Sequence, residues 1–178
     1  MADVHAAALP EDLLPQLGIG GLTRFYGLFL RRNLAILALD SERVVGFIAV
    51  ALCFPTTILV AQTLLPSVVH VLASSPRTGL RFVRRAASAM GSAVRQPEVA
   101  FLAVTDRWRG NGIGTLLVCE AAATLQRRGH SELFTRTDRA ADRAVGFYLR
   151  AGFKRGPVEA RGRRVMVVMR LPIAPASE

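Results

Sequence analysis

The chain has 178 residues, of which 51% are hydrophobic and 20% are charged, and its formal net charge is +10. This length fits one domain, residues 1–178, with a sizeable core. The composition is that of a globular protein and excludes a disordered one. Residues 1–10 lack the apolar run of a secretory signal, so the expected location is the cytoplasm.

The positive charge comes almost wholly from arginine, because Lys154 is the single lysine. A basic surface raises the local concentration of anionic ligands. Nucleic acid is not expected as a partner, since the basic residues are scattered and no aromatic platform for base stacking is interleaved with them. Cys53 and Cys119 each lie in apolar surroundings, which predicts reduced core residues rather than a disulfide.

The first 33 residues have a helical pattern. Leu9, Leu13, Leu14 and Leu17 share one face, and the glycines of 18–21 are predicted to break the helix. A second amphipathic helix follows, because apolar residues recur at intervals of three and four; they are Leu22, Phe25, Tyr26, Phe29 and Leu30. No strand is predicted before residue 10.

Residues 34–39 and 44–52 are apolar runs around a polar turn, which predicts a β-hairpin. Residues 53–97 differ from the rest of the chain, because no carboxylate occurs between Arg43 and Glu98. This segment has an apolar half, too interrupted for a membrane span, and an arginine-rich half. Two helices packed on the sheet are the favoured interpretation, and a surface for an anionic or membrane-proximal partner is the alternative.

Residues 98–129 are the centre of the prediction. An apolar run at 99–104 predicts a buried strand, and a polar turn with glycines at 110, 112 and 114 follows it. A helix then begins near Ile113 and is predicted to end at Gly129 in a left-handed cap. The first N–H groups of a helix have no internal partners and lie at the positive end of its dipole, so this turn predicts a phosphate site.

The carboxyl-terminal part continues the alternation of strands and helices. Residues 132–137 are predicted to form a strand, and Asp138 is predicted to cap a helix at 139–151 that ends at Gly152. Residues 157–164 are interpreted as a connection to a final strand at 165–171. The turn lacks the Rossmann glycine spacing and the Lys-Ser/Thr of a nucleotide P-loop, and the scattered histidines and cysteines have no metal-ligand spacing.

Two motifs resemble the GCN5-related N-acetyltransferases. The strand ending in Ala103-Val104, followed by Arg109-x-x-Gly112-x-Gly114 and a long helix, resembles motif A of that family. The segment Ala144-x-x-Phe147-Tyr148-x-x-x-Gly152-Phe153 resembles motif B, and the similarity covers roughly residues 95–170.

The resemblance implies an α/β fold with a mixed, mostly antiparallel central sheet flanked by helices. Counting the first strand of the family, for which the residues before Pro10 show no pattern, the sheet is splayed between the fourth and fifth strands, and residues 53–97 form a helical insertion before the fourth. It also implies acetyl-CoA as co-substrate. The implied cofactor contacts are Leu102, Ala103, Val104, Arg109, Gly110, Asn111, Gly112, Ile113, Gly114 and Thr115, with charge added by Arg107 and Arg109.

Glu98 and Tyr148 are the catalytic candidates that the resemblance implies. Glu98 is the candidate base, and Tyr148 is the candidate acid that protonates the leaving sulfur. Glu98 and Leu102 are separated by roughly 13 Å at 3.3 Å per residue, so the base would act through water. Even spacing places both on one sheet face unless a bulge intervenes. His70 and His130 are lesser candidates for the base.

The predicted function is an acetyl-CoA-dependent N-acetyltransferase acting on a primary amine, with a small amine or an amino sugar favoured as acceptor. A protein amino group and an anionic acceptor stay open. The alternative is a non-catalytic module that keeps the CoA fold and binds a partner or membrane surface. Peripheral membrane contact through residues 56–95 and a homodimer are further open hypotheses.

Overall fold

A computed structural model describes residues 1–10, 12, 14–52, 96–161 and 164–174. The helices are α1 (Ala2–Ala8), α2 (Gly18–Phe29), α3 (Ile113–Arg127) and α4 (Asp142–Arg150), with short 3-10 turns at Leu14–Leu17 and Asp106–Trp108. The strands are β1 (Leu34–Asp40), β2 (Arg43–Ala51), β3 (Glu98–Val104), β4 (Glu132–Asp138), β5 (Lys154–Arg161) and β6 (Arg164–Pro172).

The six strands form one sheet in the order β1-β2-β3-β4-β6-β5. The β3–β4 pair is parallel, and the other neighbouring strands are antiparallel. The predicted mixed, mostly antiparallel sheet flanked by helices is therefore confirmed. The predicted fourth and fifth strands are β3 and β4.

Helices cover both faces of the sheet. One face packs against α3 and α4 in a core that contains Leu117, Leu125 and Tyr148. The other face packs against α1 and α2 in a second core that contains Phe25 and Phe47. Each core buries the apolar side of its helices against one face of the sheet, and this burial holds the layers together.

The amino-terminal helices differ from the prediction. The segment α1 ends at Ala8, so Leu9 is not part of the predicted helical face, and Leu13 lies outside the described residues. The glycines at 18–21 do not break a helix, because α2 begins at Gly18. Four of the five residues predicted for its apolar face are buried, whereas Leu30 follows the helix and is exposed.

Two further boundaries were predicted wrongly. Residues 157–164 are not a plain connection, because Lys154–Arg161 forms the edge strand β5. This strand is polar and is interrupted by a register shift around Gly156 and Pro157, so it lacks the apolar alternation that identifies a strand. Asp138 ends β4 and accepts a hydrogen bond from the Ala140 N–H, and α4 begins only at Asp142.

The predicted end of α3 at Gly129 is correct. Gly129 has φ 79°, and its N–H donates to the Gln126 carbonyl while the His130 N–H donates to the Leu125 carbonyl. Crossed bonds of this kind satisfy the last carbonyl groups of a helix. The chain needs glycine here because a side chain disfavours left-handed backbone.

The predicted insertion lies outside the described residues except for Gln96 and Pro97, as do Cys53 and His70. The proposed membrane contact through residues 56–95 lies there as well. No helix within the described ranges is long and apolar enough to span a membrane.

Replacing Gly129 by alanine should destabilise the protein by about 1 kcal/mol, which lowers Tm by roughly 2–4 °C, because the alanine must adopt left-handed backbone. Gly27→Ala is the matched control. Gly27 is exposed within α2, and a Cβ atom added there would meet nothing within 4 Å, so its replacement should instead stabilise the helix by about 0.5–1 kcal/mol. Thermal unfolding of the two variants measures this, and shifts of the same sign would contradict the prediction.

Candidate active site

The turn between β3 and α3 presents open backbone donors. Gly110 and Gly112 have φ 82° and 78°, and Gly112 is the residue that precedes α3. The first N–H groups of a helix have no acceptor within it, and here the Leu116 N–H is the one that bonds back to the Gly112 carbonyl at 3.0 Å. No side chain caps this end of α3 among the described residues. The turn therefore offers several main-chain N–H groups to an anion.

Gly114 has a different role from the other two glycines. A Cβ atom at this position would lie 3.0 Å from the Phe147 ring, whereas at Gly110 and Gly112 it would meet nothing within 4 Å. Gly114 therefore allows α3 to approach α4 closely. Gly110 and Gly112, in contrast, leave open space beside the backbone of the turn.

Arg109 is engaged within the protein. Its guanidinium donates to the Val104 carbonyl at 3.1 Å and to the Ala8 carbonyl at 3.4 Å, and it pairs with Asp106 at 2.9 Å. These contacts join the end of β3, the turn and α1. Arg109 thus braces the turn, while Arg107 is exposed beside it.

The sheet opens between β3 and β4. The two strands are paired only at Glu98 and Phe134, at the start of β3. On its other edge, β3 pairs with β2 along most of its length. The strands therefore separate toward their carboxyl ends, which is the predicted splay.

Main-chain groups of β3 point into this gap. The Thr105 N–H donates to the Val45 carbonyl of β2 at 2.9 Å. Because backbone groups of an antiparallel strand alternate between its two edges, Ala103 also faces β2, and Leu102 and Val104 face the gap. The Leu102 amide thus has no partner on a neighbouring strand within the described part of the chain, while the main-chain groups of Ala103 are directed at β2.

A cavity of about 1020 Å³ connects the turn with the gap. Most of the predicted cofactor-binding residues line it, namely Leu102, Ala103, Val104, Arg109, Gly110, Gly112, Ile113, Gly114 and Thr115, together with Tyr148. Asn111 lies at the exposed tip of the turn, where its side chain donates to the Arg109 carbonyl at 3.5 Å. Glu98 is not part of the lining.

Tyr148 is buried between α4 and the sheet. Its ring packs edge-on against Phe147 and Phe153, with centroids 5.2 and 5.1 Å away. Burial raises the pKa of Tyr148, and a hydrogen bond with Thr135 opposes that rise. The phenol therefore keeps its proton at neutral pH and can donate it.

Glu98 is held in an ion pair at the closed end of the gap. Its carboxylate lies 2.7 Å from the Arg136 guanidinium, and both side chains are only 15% exposed. Arg136 also bonds Glu159 of β5 at 3.0 Å. Burial lowers the pKa of Arg136, but the hydrogen bonds and charges of Glu98 and Glu159 outweigh it and raise that pKa.

A bulge separates Glu98 from Leu102. The register between β2 and β3 shifts so that Val50 pairs with Val99 and Ala49 pairs with Phe101. Val99 packs in the core under α3 and α4, whereas Phe101 packs in the core under α1 and α2. The even spacing of Glu98 and Leu102 therefore does not put them on one face. Glu98 belongs to the α1 and α2 face, and Tyr148 to the opposite face.

The remaining candidates lie elsewhere. His130 is half-buried in the turn after α3 and does not line the cavity. Cys119 is exposed on α3, so the prediction that it is a core residue was wrong. Leu117 and Ala121 are buried on the inner side of α3, and Cys119 falls between them on the outer side.

Some of the residues that line the cavity were not predicted from the sequence to do so. Arg143, Phe147 and Arg150 line the cavity from α4, and their spacing of four and three residues puts them on one helical face. That spacing was a usable signal. Ala8 and Leu9 also line the cavity, and nothing local in the sequence connects them with β3.

The comparisons with known proteins agree with this geometry. The model of the acetyltransferase (GNAT) family matches residues 8–153. A comparison with curated protein sequences gives no match.

Solved structures give many matches, and three are representative. An aminoglycoside 6'-N-acetyltransferase complexed with coenzyme A has a TM-score of 0.63 at 17% identity, covering 99% of this chain and 91% of that one. A GNAT family acetyltransferase from Elizabethkingia anophelis with acetyl-CoA bound has a TM-score of 0.55 at 12% identity, with 96% and 88% covered. The ribosomal-protein-S18-alanine N-acetyltransferase from Escherichia coli has a TM-score of 0.51 at 16% identity, with 83% and 73% covered.

At these identities the structures establish the fold, and the family model establishes descent. The matched residues span β3, the glycine turn, α3 and α4, which together build the cavity. The chain therefore belongs to the acetyltransferase (GNAT) family.

Proposed function

We propose that this protein is an acetyl-CoA-dependent N-acetyltransferase that transfers the acetyl group to a primary amine. The observation that carries the proposal is the convergence of two sets of main-chain donors on one cavity. The first is the start of α3, and the second is the unpaired edge of β3 at Leu102 and Val104. Anionic phosphates match the first set, and an amide-containing arm matches the second.

The charges around the cavity support an anionic cofactor. Among the described lining residues, Arg109, Arg143 and Arg150 outnumber the one carboxylate, Asp142, and arginine side chains pair favourably with phosphate groups. Acetyl-CoA supplies the thioester whose carbon accepts the amine nitrogen as the carbon–sulfur bond breaks. The Leu102 amide is the proposed donor to the thioester oxygen, where negative charge develops.

Two side chains have proposed roles in proton transfer. Tyr148 donates its phenolic proton to the departing sulfur, because burial keeps the phenol neutral. Glu98 takes the proton of the attacking ammonium through water. Glu98 and Tyr148 lie on opposite faces of the sheet. Because the gap passes through the sheet, both can act on one thioester that lies in the gap.

A small amine or an amino sugar is the favoured acceptor. The relative complexed with coenzyme A is named as an aminoglycoside 6'-N-acetyltransferase, which supports an amino sugar. A screen of acetyl-CoA against small amines, amino sugars, nucleotide-linked amino sugars and peptides, followed by thiol release, tests the proposal. Binding of CoA without thiol release in any panel would favour a non-catalytic binding module.

Replacing Gly112 by alanine should weaken CoA binding about tenfold or more, because the alanine disfavours the left-handed backbone that aims the turn's N–H groups at the phosphates. Calorimetric titration with CoA measures the affinity. Gly129→Ala is the matched control, since φ is 78° at Gly112 and 79° at Gly129 but Gly129 lies away from the cavity lining. Equal CoA affinity of the two variants would contradict the phosphate role of the turn.

Replacing Tyr148 by phenylalanine should lower kcat by about 10²-fold, in the range of general acid catalysis, with CoA affinity unchanged. Because the pKa of Tyr148 is raised, its proton is lost only when the pH rises through that higher value. The wild-type kcat should therefore show no tyrosine ionisation below about pH 10. Thiol release across pH measures both effects, and unchanged turnover of the variant would reject the acid role.

Glu98→Gln and Arg136→Met separate a catalytic role of Glu98 from a structural one. Either change breaks the ion pair and should cost about 1–3 kcal/mol of stability, because a partly buried charged group loses its partner. If Glu98 is the base, Glu98→Gln should lower kcat at least tenfold further than Arg136→Met. Steady-state kinetics and urea unfolding measure the two quantities. Equal losses of kcat would leave the pair with a structural role alone.

A further inference from the structure

The amino-terminal helix α1 contains a fully buried histidine. His5 has no exposed surface, and its Nδ1 atom is hydrogen bonded to the Tyr26 hydroxyl of α2. Its ring lies against Phe101 of β3, with centroids 4.8 Å apart, and near Phe47 of β2 at 6.1 Å. The imidazole thus joins α1 to α2 and to the sheet.

The second ring nitrogen points toward a carboxylate. His5 Nε2 lies 3.6 Å from Asp12 Oδ2, and it has no hydrogen-bond partner among the residues that the structure describes. The Asp12 side chain is 44% exposed. Burial, reinforced by the Asp12 charge, raises the pKa of Tyr26 well above its usual value, so the hydroxyl keeps its proton and can donate to Nδ1.

A polar side chain in this position needs an explanation, because burying a polar group with an unmet hydrogen bond is costly. Val4 and His5 are the two buried residues of α1, which has seven residues. A helix this short is not stable in isolation, so contacts with the rest of the protein decide where it lies. A directional hydrogen bond fixes that position more narrowly than apolar contact alone.

The carboxyl end of α1 reaches the cavity. Ala8 and Leu9 line it beside Leu102 and Ala103, and the Arg109 side chain donates to the Ala8 carbonyl at 3.4 Å. The Leu9 N–H bonds back to the His5 carbonyl at 2.9 Å. His5 therefore lies one helical turn before the lining residues and is hydrogen bonded through its carbonyl to the second of them.

The location of the carboxyl end of α1 indicates which substrate this end of the helix contacts. α1 covers the face of the sheet opposite Tyr148, α3 and α4. In the proposed function, the cofactor enters from the start of α3, so the amine must approach the thioester from elsewhere. The end of α1 lies beside Leu102, whose amide is the proposed donor to the thioester oxygen.

We propose that His5 is a positioning residue that anchors α1 as the acceptor-side wall of the cavity, through its hydrogen bond with Tyr26 and through the Asp12 carboxylate, which lies 3.6 Å from the second ring nitrogen. The inference rests on the proposed acetyltransferase function for the identity of the acceptor side. The anchor itself rests on the contacts of His5 alone.

The test compares His5→Phe and Tyr26→Phe, which keep aromatic packing and remove the hydrogen bond. Each should raise the KM for the amine identified in the screen about tenfold, the usual worth of a buried hydrogen bond. CoA affinity should stay within about twofold, measured by fluorescence of Trp108, the single tryptophan, which lines the cavity. The double variant should cost no more than either single change, because both remove the same contact.

His5→Asn supplies a rescue, because its amide can still bond Tyr26, and it should recover most of the wild-type KM. Asp12→Asn should raise the amine KM more than Asp3→Asn. Asp3 is the matched control because it is an exposed aspartate on α1, the helix that carries His5. A parallel loss of CoA affinity in His5→Phe, additive effects in the double variant, or a wild-type KM in both single variants would each overturn the proposal.

Hydrogen exchange separates this inference from the proposed function. In the wild type, the amides of residue 5 and Leu9 donate to the carbonyls of Met1 and His5. His5→Phe should lower the exchange protection of these two amides about tenfold relative to the α3 amides. If the wild-type protein binds no CoA and releases no thiol, the proposed function fails while exchange still decides the anchor. Unchanged protection would reject it.

Discussion

The cavity depends on one interruption of main-chain pairing, the separation of β3 from β4 beyond Glu98 and Phe134. Two side-chain contacts hold the closed end of this gap, one on each face of the sheet. Arg136 and Glu98 form the ion pair on the α1 and α2 face, and the Thr135 hydroxyl donates to the Val99 carbonyl at 3.4 Å on the other. Because parallel strands have their carboxyl ends on the same side, the gap opens toward the start of α3. Unpaired strand groups and open helix N–H groups thus meet in one place.

The contacts at the closed end of the gap involve the same residues as the contacts of the catalytic candidates. Thr135, which contacts Val99, is also the hydrogen-bond partner of Tyr148, and Glu98 is both a strand clamp and the proposed base. The same contacts that fix the separation of the strands therefore orient the two side chains proposed for proton transfer. Arg136 extends this arrangement outward, since it bonds Glu159 on β5 and lies 5.1 Å from the Phe134 ring centroid. A change at Arg136 is expected to affect stability and site geometry together.

Segments that are far apart in the chain wall the cavity. The turn after β3 and the start of α3 form one side, α4 forms a second, and the end of α1 forms a third. Close packing joins them, because Gly114 admits the Phe147 ring between α3 and α4 and Arg109 links the turn to α1. In a cavity assembled this way, residues without any chemistry of their own, such as Ala8, form part of the wall. The His5 anchor is the corresponding device for α1.

The sequence by itself determined the elements whose signals are local. The phosphate site was predicted from three adjacent features, namely the apolar run of β3, the glycine turn and the start of α3. This was possible because backbone conformation and helix polarity follow from neighbouring residues. The resemblance of the two motifs added the family, the splay and the roles of Leu102 and Tyr148. Tertiary structure alone decided the rest, because it depends on partners distant in sequence. The bulge in β3 puts Glu98 and Leu102 on different faces of the sheet. Arg136 on the neighbouring strand then pairs with the Glu98 carboxylate. The polar edge strand β5 forms because β6 lies beside it. Ala8 reached the cavity, with His5 buried one turn before it, only because α1 packs on β3, nearly a hundred residues further along the chain, a contact that no local pattern specifies.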